Sequence, residues 1–432
     1  MLKLIECNKS NYERKLFSYI SKSSIENKKR SVAVSNIIRT VKKNKNEALL
    51  NYSNKLDNNN FKDFKSLKVT PKEISNALKK CSQEFHKSIK FAIQRVMSYQ
   101  KKLMPKNLMY KDKLGIKLGS IWSPLESCGL YVPGGKALYP SSVLMNAIPA
   151  KIAGVDRIVV VSPANNNQLS PEILVAAHAI GLNEIYKIGG AQAIAALTFG
   201  TESIKRVDKI VGPGNSFVAE AKKQLYGYVG IDSIAGPSEI LVIADKHNNP
   251  EWVAMDLLSQ AEHDEEARPI LISDSKNFIK KVNEHIFNFL KSIKRKKIAS
   301  KSIKKNGLAI LIQDINFAYH VANYIAPEHL EIMTKNKNFL AKKIINAGAI
   351  FMGEYTPEAF GDYVAGPSHV LPTSGNSRFD SGLSVLDFLK RTSYIEANKT
   401  GLKKNLHSIE VLGNSEGLDA HVKSAKIRFS KE

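Results

Sequence analysis

The sequence predicts an α/β protein built from two Rossmann-like parallel-sheet domains, with helical arms at its N- and C-terminal ends. Three observations lead there. Short uninterrupted apolar runs such as RIVVVSP, SEILVIAD and ARPILIS have the length and β-branched content of strands buried on both faces. They alternate with helix-length segments, among them PEILVAAHAIGL, AQAIAALTFG and NFIKKVNEHIFNFLKSI. Glycine-rich turns follow several strands, in VPGG, IGG and VGPG, as tight exits into crossover helices require.

Composition sets the outer bounds. At 432 residues the chain exceeds one ordinary core, which calls for two or more domains. Hydrophobic residues at 43% and charged residues at 24% are those of a globular fold, and no apolar run reaches the ~20 residues of a membrane span. The opening MLKLIECNKSNYERKLF mixes charges into each short apolar run and offers no secretory signal, so a cytoplasmic protein is expected. Cys7, Cys81 and Cys128 are far apart and odd in number, which suits neither a disulfide framework nor a cysteine-based zinc site. They read as plain thiols. The formal charge of +24 raises nucleic-acid binding as a rival function. The lysines, however, crowd Lys42 to Lys45 and Lys291 to Lys305 without RNP-like aromatics, zinc-finger spacing or a basic-region heptad run. Neither nucleic acid nor membrane is an expected partner.

Taken in order, the chain from Met1 to about Met109 reads as helices, with apolar residues at three- and four-residue intervals such as Phe85, Ile89, Ala92, Ile93 and Val96. Asp57 to Asn60 interrupts them as a loop. Strands follow in IKLGSIW and GLYVPGG, then a helix in SSVLMNAIPAKIAGV with Ser141 and Ser142 as N-cap candidates. The alternation continues through RIVVVSP, EIYKIGG and DKIVGPG, each strand followed by a helix. A second series begins at SEILVIAD, with a helix in PEWVAMDLLSQAEHD that has Pro250 near its first turn. It runs through ARPILIS, LAILI and AIFMG to a Gly- and Pro-rich passage from Glu354 to Ser384. LSVLDFLKRTSYIEA and the tail read as helix.

Candidate chemistry lies in five places. In LLSQAEHD, Gln260 and His263 are three apart, a spacing that puts both on one helix face where an amide oxygen and an imidazole could meet one metal ion. A solvated helix end is the competing reading, given Glu262, Asp264, Glu265 and Glu266. The loops VPGGKALYPSS, IGGAQA and VGPGNS place glycines and polar groups after strands, where a nucleotide could bind, though none is a GxGxxG fingerprint. In APEHLEI, Pro327 leaves Glu328 and His329 side by side at an element boundary. If a helix begins there, its positive end keeps His329 neutral, as a general base must be. FGDYVAGPSHVLP offers Asp362 and His369, and EGLDAH offers Glu416, Asp419 and His421, neither at a strong metal spacing. From residues alone, an α/β enzyme with a His-and-carboxylate site is as far as this goes.

Nine stretches in order resemble the histidinol dehydrogenase family: GLYVPGGKALYPSSVLMNAIPAKIAGV, IGGAQAIAALTFGTESI, VDKIVGPGN, IAGPSEILVIAD, LLSQAEHD, APEHLEI, YTPEAFGDYVAGPSHVLPTSG, GLSVLDFLKR and EGLDAH. The resemblance implies two successive NAD-dependent oxidations of L-histidinol to L-histidine through the aldehyde, at a zinc site in an intertwined homodimer with shared active sites. Gln260, His263, Asp362 and His421 are implied zinc ligands, with His421 supplied by the second subunit. Glu328 and His329 match the acid-base pair. Tyr131, Gln192 and Asn215 are implied NAD contacts. Ser238, His369 and Glu416, together with His329 and the zinc ligands, are implied to surround histidinol. Phe217 and Ser368 depart from the family pattern, where Tyr and Asn are expected. The chain is expected to divide into an N-terminal helical arm (1–25), a discontinuous α/β domain with the zinc and acid-base residues (26–130 and 236–383), an NAD-binding α/β domain (131–235) and a helical tail reaching the partner (384–432). A related zinc- and NAD-dependent dehydrogenase of another amino-alcohol is the alternative.

Overall fold

The computed structural model describes residues 1–21, 28–57, 59–134 and 139–429. Two units are distinguished: Met1–Leu103 with Glu126–Phe388, and Met104–Leu125 with Leu389–Glu432. The first holds two all-parallel sheets, as alternating buried strands and helices demand. In the larger, the order from edge to edge is Lys3–Glu6, Leu308–Leu311, Arg268–Ser273, Glu239–Ile243, His329–Ile332 and Ala349–Met352. In the smaller it is Ile185–Tyr186, Arg157–Val161, Ser127–Tyr131, Lys209–Val211 and Gly230–Ile231.

Period-two alternation divides the core of the larger sheet. Ile240, Val242 and Ala244 pack on one face against Val253, Leu257 and Leu258 of helix Pro250–Ala261 and Phe278 and Val282 of helix Lys276–Phe289. Leu241 and Ile243 face the other way, toward Leu16, Val321, Ile325 and Leu340. Each such side chain taken out of water contributes about 1.5–3 kcal/mol, so both faces are anchored independently. In the smaller sheet the chain starts at a central strand, builds to one side and returns to the other; the larger does the same from Glu239–Ile243 onward, after its edge strand Lys3–Glu6. The reversal lies beside Ser127–Tyr131 in the smaller sheet and beside Glu239–Ile243 in the larger.

The second unit is a three-stranded antiparallel sheet, in the order Leu389–Glu396, Lys117–Pro124 and Leu108–Lys111, with helices Lys399–Ser415 and Asp419–Lys426. Gly413 allows those helices to meet, because a Cβ there would stand 2.6 Å from a Val422 methyl.

Several sequence expectations are corrected. Lys3–Glu6 is an edge strand paired with Leu308–Leu311, so the opening of the chain is not wholly helical; four residues are too few for periodicity to reveal. LKRTSYIE is a strand rather than helix, consistent with its β-branched and aromatic residues on a half-exposed sheet. Ser141 and Ser142 are not N-caps, since helix Pro140–Ala153 starts after Tyr139 without a side-chain cap. Residues 22–25 of the N-terminal arm, residue 58 of the loop at Asp57 to Asn60, and residues 135–138 of the VPGGKALYPSS turn lie outside the described residues.

Candidate active site

The two sheets present opposite ends to the site residues. In the smaller sheet the candidates follow the carboxyl ends of strands. Tyr131 is the last residue of the central strand, and its hydroxyl accepts the Gly190 N–H at 3.0 Å. Gln192 lies one turn into helix Gly190–Phe199, with its Oε1 buried and unpartnered among the described residues. Asn215 caps helix Ser216–Leu225, accepting from Phe217 N at 3.0 Å and Val218 N at 3.2 Å. Gly212, at φ 106°, makes the turn between them, and a Cβ there would stand 2.2 Å from the Tyr131 carbonyl. Buried Lys222 and Asp232 grip this peptide from both sides: Lys222 Nζ donates to Gly212 O at 2.8 Å and to Asp232, while Gly212 N donates to Asp232 at 2.7 Å.

In the larger sheet the candidates gather at the amino ends of strands. His329 is the first residue of a strand, not of a helix; the preceding helix stops at Ile325 with Ala326 in the left-handed region. No helix N-terminus therefore keeps its ring neutral. Burial does so instead, pushing its pKa down. Nδ1 lies 3.0 Å from the Glu239 carbonyl, which assigns the proton to Nδ1. Nε2 is left buried, without a hydrogen-bond partner among the described residues, 3.9 Å from Asp362 Oδ1. A neutral imidazole held this way is a base waiting for a proton.

Carboxylates surround it. Glu328 Oε2 accepts the Glu239 N–H at 2.8 Å, and burial holds its carboxyl well above the usual range, with the charges of Glu239 and Asp362 adding to the shift. Short helix Glu358–Tyr363 brings Glu358 and Asp362 to one face at an i, i+4 spacing. Glu358 Oε1 lies 3.7 Å from His329 Nδ1, and its backbone N–H donates to Glu331 at 2.7 Å. Burial first, then the Asp362, Glu331 and Glu328 charges, raise the Glu358 carboxyl. Glu331 is raised likewise by burial and by Asp256, with which it shares a hydrogen bond.

Gln260 sits in the last turn of its helix, and His263 lies just beyond the C-cap at Glu262, so the pair occupies a helix end rather than one continuous helical face. The amide orientation that satisfies its surroundings sends Gln260 Nε2 to Glu358 Oε1 at 3.1 Å and to Glu239 O at 3.0 Å. His263, Glu358 and Asp362 place donor atoms within 4.8 Å of one another, close enough to share one cation. His263 is also mostly buried and its pKa is lowered, chiefly by that burial.

Of the remaining sequence candidates, His369 approaches Asp362 O through Nδ1 at 3.0 Å and Ser142 Oγ through Nε2 at 3.2 Å. Ser142 lies in the first turn of helix Pro140–Ala153, so this contact ties that helix to the segment that carries Asp362 and His369. Ser238 precedes the strand that starts at Glu239, its carbonyl accepting from Arg268 N at 2.9 Å. Glu416 and His421 belong to the second unit, both exposed, one closing helix Lys399–Ser415 and the other inside helix Asp419–Lys426. Ser368, a departure from the family pattern, is absorbed structurally, reaching Met145 O at 3.4 Å. Cys128 is no nucleophile, since burial in its strand pushes the thiol up to about 12.

Sequence reasoning missed Glu358, Glu239, Glu331, Asp256 and Asp57. A signal existed for three of them: Glu239 and Glu331 stand inside apolar strands, in EILVI and HLEI, where a carboxylate must be buried. Glu358 also stands four residues before Asp362. Asp57 is partly buried against the IGG turn, accepting the Gly189 N–H, with Gln192 Nε2 at 3.4 Å, and burial raises its carboxyl to about 6.

Residues 20–429 match the family model described as histidinol dehydrogenase. "Histidinol dehydrogenase" of Agrobacterium fabrum is 46% identical over 428 residues, 99% of each chain. "Histidinol dehydrogenase 1" of Nostoc sp. is 52% identical over 356 residues, 82% of this chain and 83% of the relative. The crystal structure of histidinol dehydrogenase from Elizabethkingia anophelis superposes with a TM-score of 0.94 at 34% identity, covering 100% of this chain and 98% of that one. With a buried histidine base, a ring of carboxylates and likeness over nearly the whole length, the chain belongs to the histidinol dehydrogenase family of oxidoreductases.

Proposed function

We propose that this enzyme oxidises L-histidinol to L-histidine in two successive NAD-dependent steps at a zinc site, within histidine biosynthesis in the cytoplasm. The observation that carries the proposal is His329, whose unpartnered Nε2 is aimed at the group of donors where a cation fits. Among the described residues no helix is long and apolar enough to cross a membrane.

The donors suit zinc. Of the three donors that lie together, His263 and Asp362 offer imidazole and carboxylate, and the oxygen of neighbouring Gln260 would add an amide, a set without a thiolate and so the pattern of a catalytic rather than a structural ion. His421 of the partner subunit would complete the set, and Glu416 of the partner subunit would reach the substrate, making the active unit a homodimer with shared sites. A bound zinc ion would supply a fixed point for the imidazole and amino nitrogens of the substrate. Tyr131, Gln192 and Asn215 fit NAD through the polar atoms their own contacts leave over: the Tyr131 hydroxyl proton, the orphaned Gln192 oxygen and the Asn215 amide nitrogen. Bound NAD would accept the hydride.

The chain's own residues handle the protons. His329 Nε2 takes the alcohol proton as the carbinol hydrogen departs as hydride, giving an aldehyde retained between Ser238 and His369. Glu328, buried and inclined to hold a proton, takes one from a water that adds to the aldehyde carbon, while His329 returns its proton to the aldehyde oxygen, giving the hydrate and freeing the imidazole. His329 takes the hydrate's hydroxyl proton as the second hydride leaves, and the carboxylate product departs. Burial of the site keeps the reactive amino-aldehyde from escaping between steps. Purified protein with zinc, NAD and L-histidinol is expected to form two NADH for each histidine. No NADH under those conditions would sink the proposal, and turnover of another amino-alcohol in its place would favour the related dehydrogenase.

A further inference from the structure

Gln260 is a problem for any site that uses its oxygen. An amide can present either end to a cation, and the nitrogen end repels one. Something must decide which way it faces. Gln260 is buried, its relative exposure only 1%, so water cannot do so. Two acceptors can. Turned to suit its surroundings, Gln260 Nε2 donates to Glu358 Oε1 at 3.1 Å and to Glu239 O at 3.0 Å, directing the oxygen away from both.

Glu239 O is already engaged by His329 Nδ1 at 3.0 Å, so a single carbonyl serves both the base and the amide. Glu358 is therefore the side chain left to fix the amide. It is well placed for it: Glu358 is 2% exposed, its backbone N–H is held by Glu331 at 2.7 Å, and its helix also holds Asp362.

We propose that Glu358 is a positioning residue for Gln260, holding the amide nitrogen so that the amide oxygen is the end offered to the metal. This rests on the zinc reading above. The role needs only an oxygen that accepts a hydrogen bond, so it operates whether or not the carboxyl carries a proton. It also separates the roles of the two acidic residues of helix Glu358–Tyr363, whose carboxylates both lie within 4.8 Å of the His263 donor atom: Asp362 is offered as a ligand, and the Glu358 oxygen is spent on orienting one. Partners that orient a ligand typically change metal affinity about 10–100-fold when removed.

The test is zinc affinity of the metal-stripped full-length protein, titrated with zinc alone against a chelating dye, without substrate or NAD. Glu358→Ala is expected to weaken zinc binding about 10–100-fold while leaving the thermal midpoint of the metal-free protein nearly unchanged. Glu358→Gln, which keeps an acceptor oxygen but no charge, is expected to restore affinity to within about threefold of wild type, well inside that range. Should the alanine variant fail to fold, Glu358→Met fills the space without a comparable acceptor and is expected to show the same loss. A glutamine variant as weak as the alanine one would assign the effect to charge and overturn the proposal. So would an alanine variant with unchanged affinity. Wild-type protein that binds no zinc would instead overturn the metal reading itself.

Discussion

The two parallel sheets of the first unit share an architecture and use opposite ends of it. At the carboxyl end of the smaller sheet, backbone does most of the work: glycine turns at Gly189, Gly190 and Gly212, and N–H groups meeting Tyr131, Asp57 and Asp232. At the amino end of the larger sheet, side chains do it, and they are buried acids packed around His329. The usual crevice at the carboxyl end of the larger sheet is bridged, because Asn248 donates to Met333 O at 3.0 Å across the two strands beside the reversal. Chain reversal thus makes a crevice available at the carboxyl end of a sheet without obliging the chain to use it. A hydrogen-bonded turn can receive a ligand at little desolvation cost, whereas clustered carboxylates store unfavourable electrostatics that a cation or a proton relieves.

The contrast is broken most directly at His329. If the amino end of the larger sheet performs the proton transfers, His329→Ala should lower kcat about 10²–10⁴-fold in the NADH assay, with the fold intact by circular dichroism. A loss under tenfold would move the base elsewhere.

The next largest effect belongs to the other sheet. Lys222 and Asp232 are both buried, and Lys222→Met would leave the Asp232 carboxylate without its cation beside the Gly212 peptide. Breaking a buried pair from one side costs about 3–5 kcal/mol, measurable by urea unfolding. Lys222→Met combined with Asp232→Leu should recover part of that loss, since no charge is then stranded. A single variant as stable as wild type would mean the turn is held by its glycine alone.

These two regions were unequally legible in the sequence. The smaller sheet was readable because its signals are local: apolar runs, then glycine, then a helix start. The α/β class, the family and the oxidoreductase activity expected from the motifs are all borne out. The acid cluster was only half visible. Glu328, His329 and Asp362 stand out in their motifs; Glu331 and Glu358 stand in the same stretches, but they and Asp256 act through contacts between segments far apart in sequence, which no motif records. His329 shows the limit clearly. A helix beginning there would keep it neutral, but a strand begins there instead, and its neutrality arises from burial, a property of the assembled core. Lys3–Glu6 fails for a similar reason, since an edge strand of four residues is defined by its partner, Leu308–Leu311.

The smallest effect concerns Asp57, at the backbone-built end. Asp57 has an ordinary carboxyl value of 3.8 when unfolded, and burial raises it to about 6 in the fold, opposed by the Gly189 N–H. The folded protein therefore takes up a proton here more readily than the unfolded chain does. That advantage is fully present below about pH 4 and is lost as pH rises through about 6, so at neutral pH Asp57 carries a desolvation cost that an amide lacks. Partial exposure screens the effect and keeps it modest. Asp57→Asn should accordingly compare better with wild type in urea unfolding at pH 7.5 than at pH 4, the gap closing mainly between pH 6 and 4. A difference that stays flat across that window would mean that the Gly189 hydrogen bond offsets the burial, leaving Asp57 without a titrating part in stability. A clear slope would show that even the backbone-built end holds one acid under the strain that the larger sheet imposes on several.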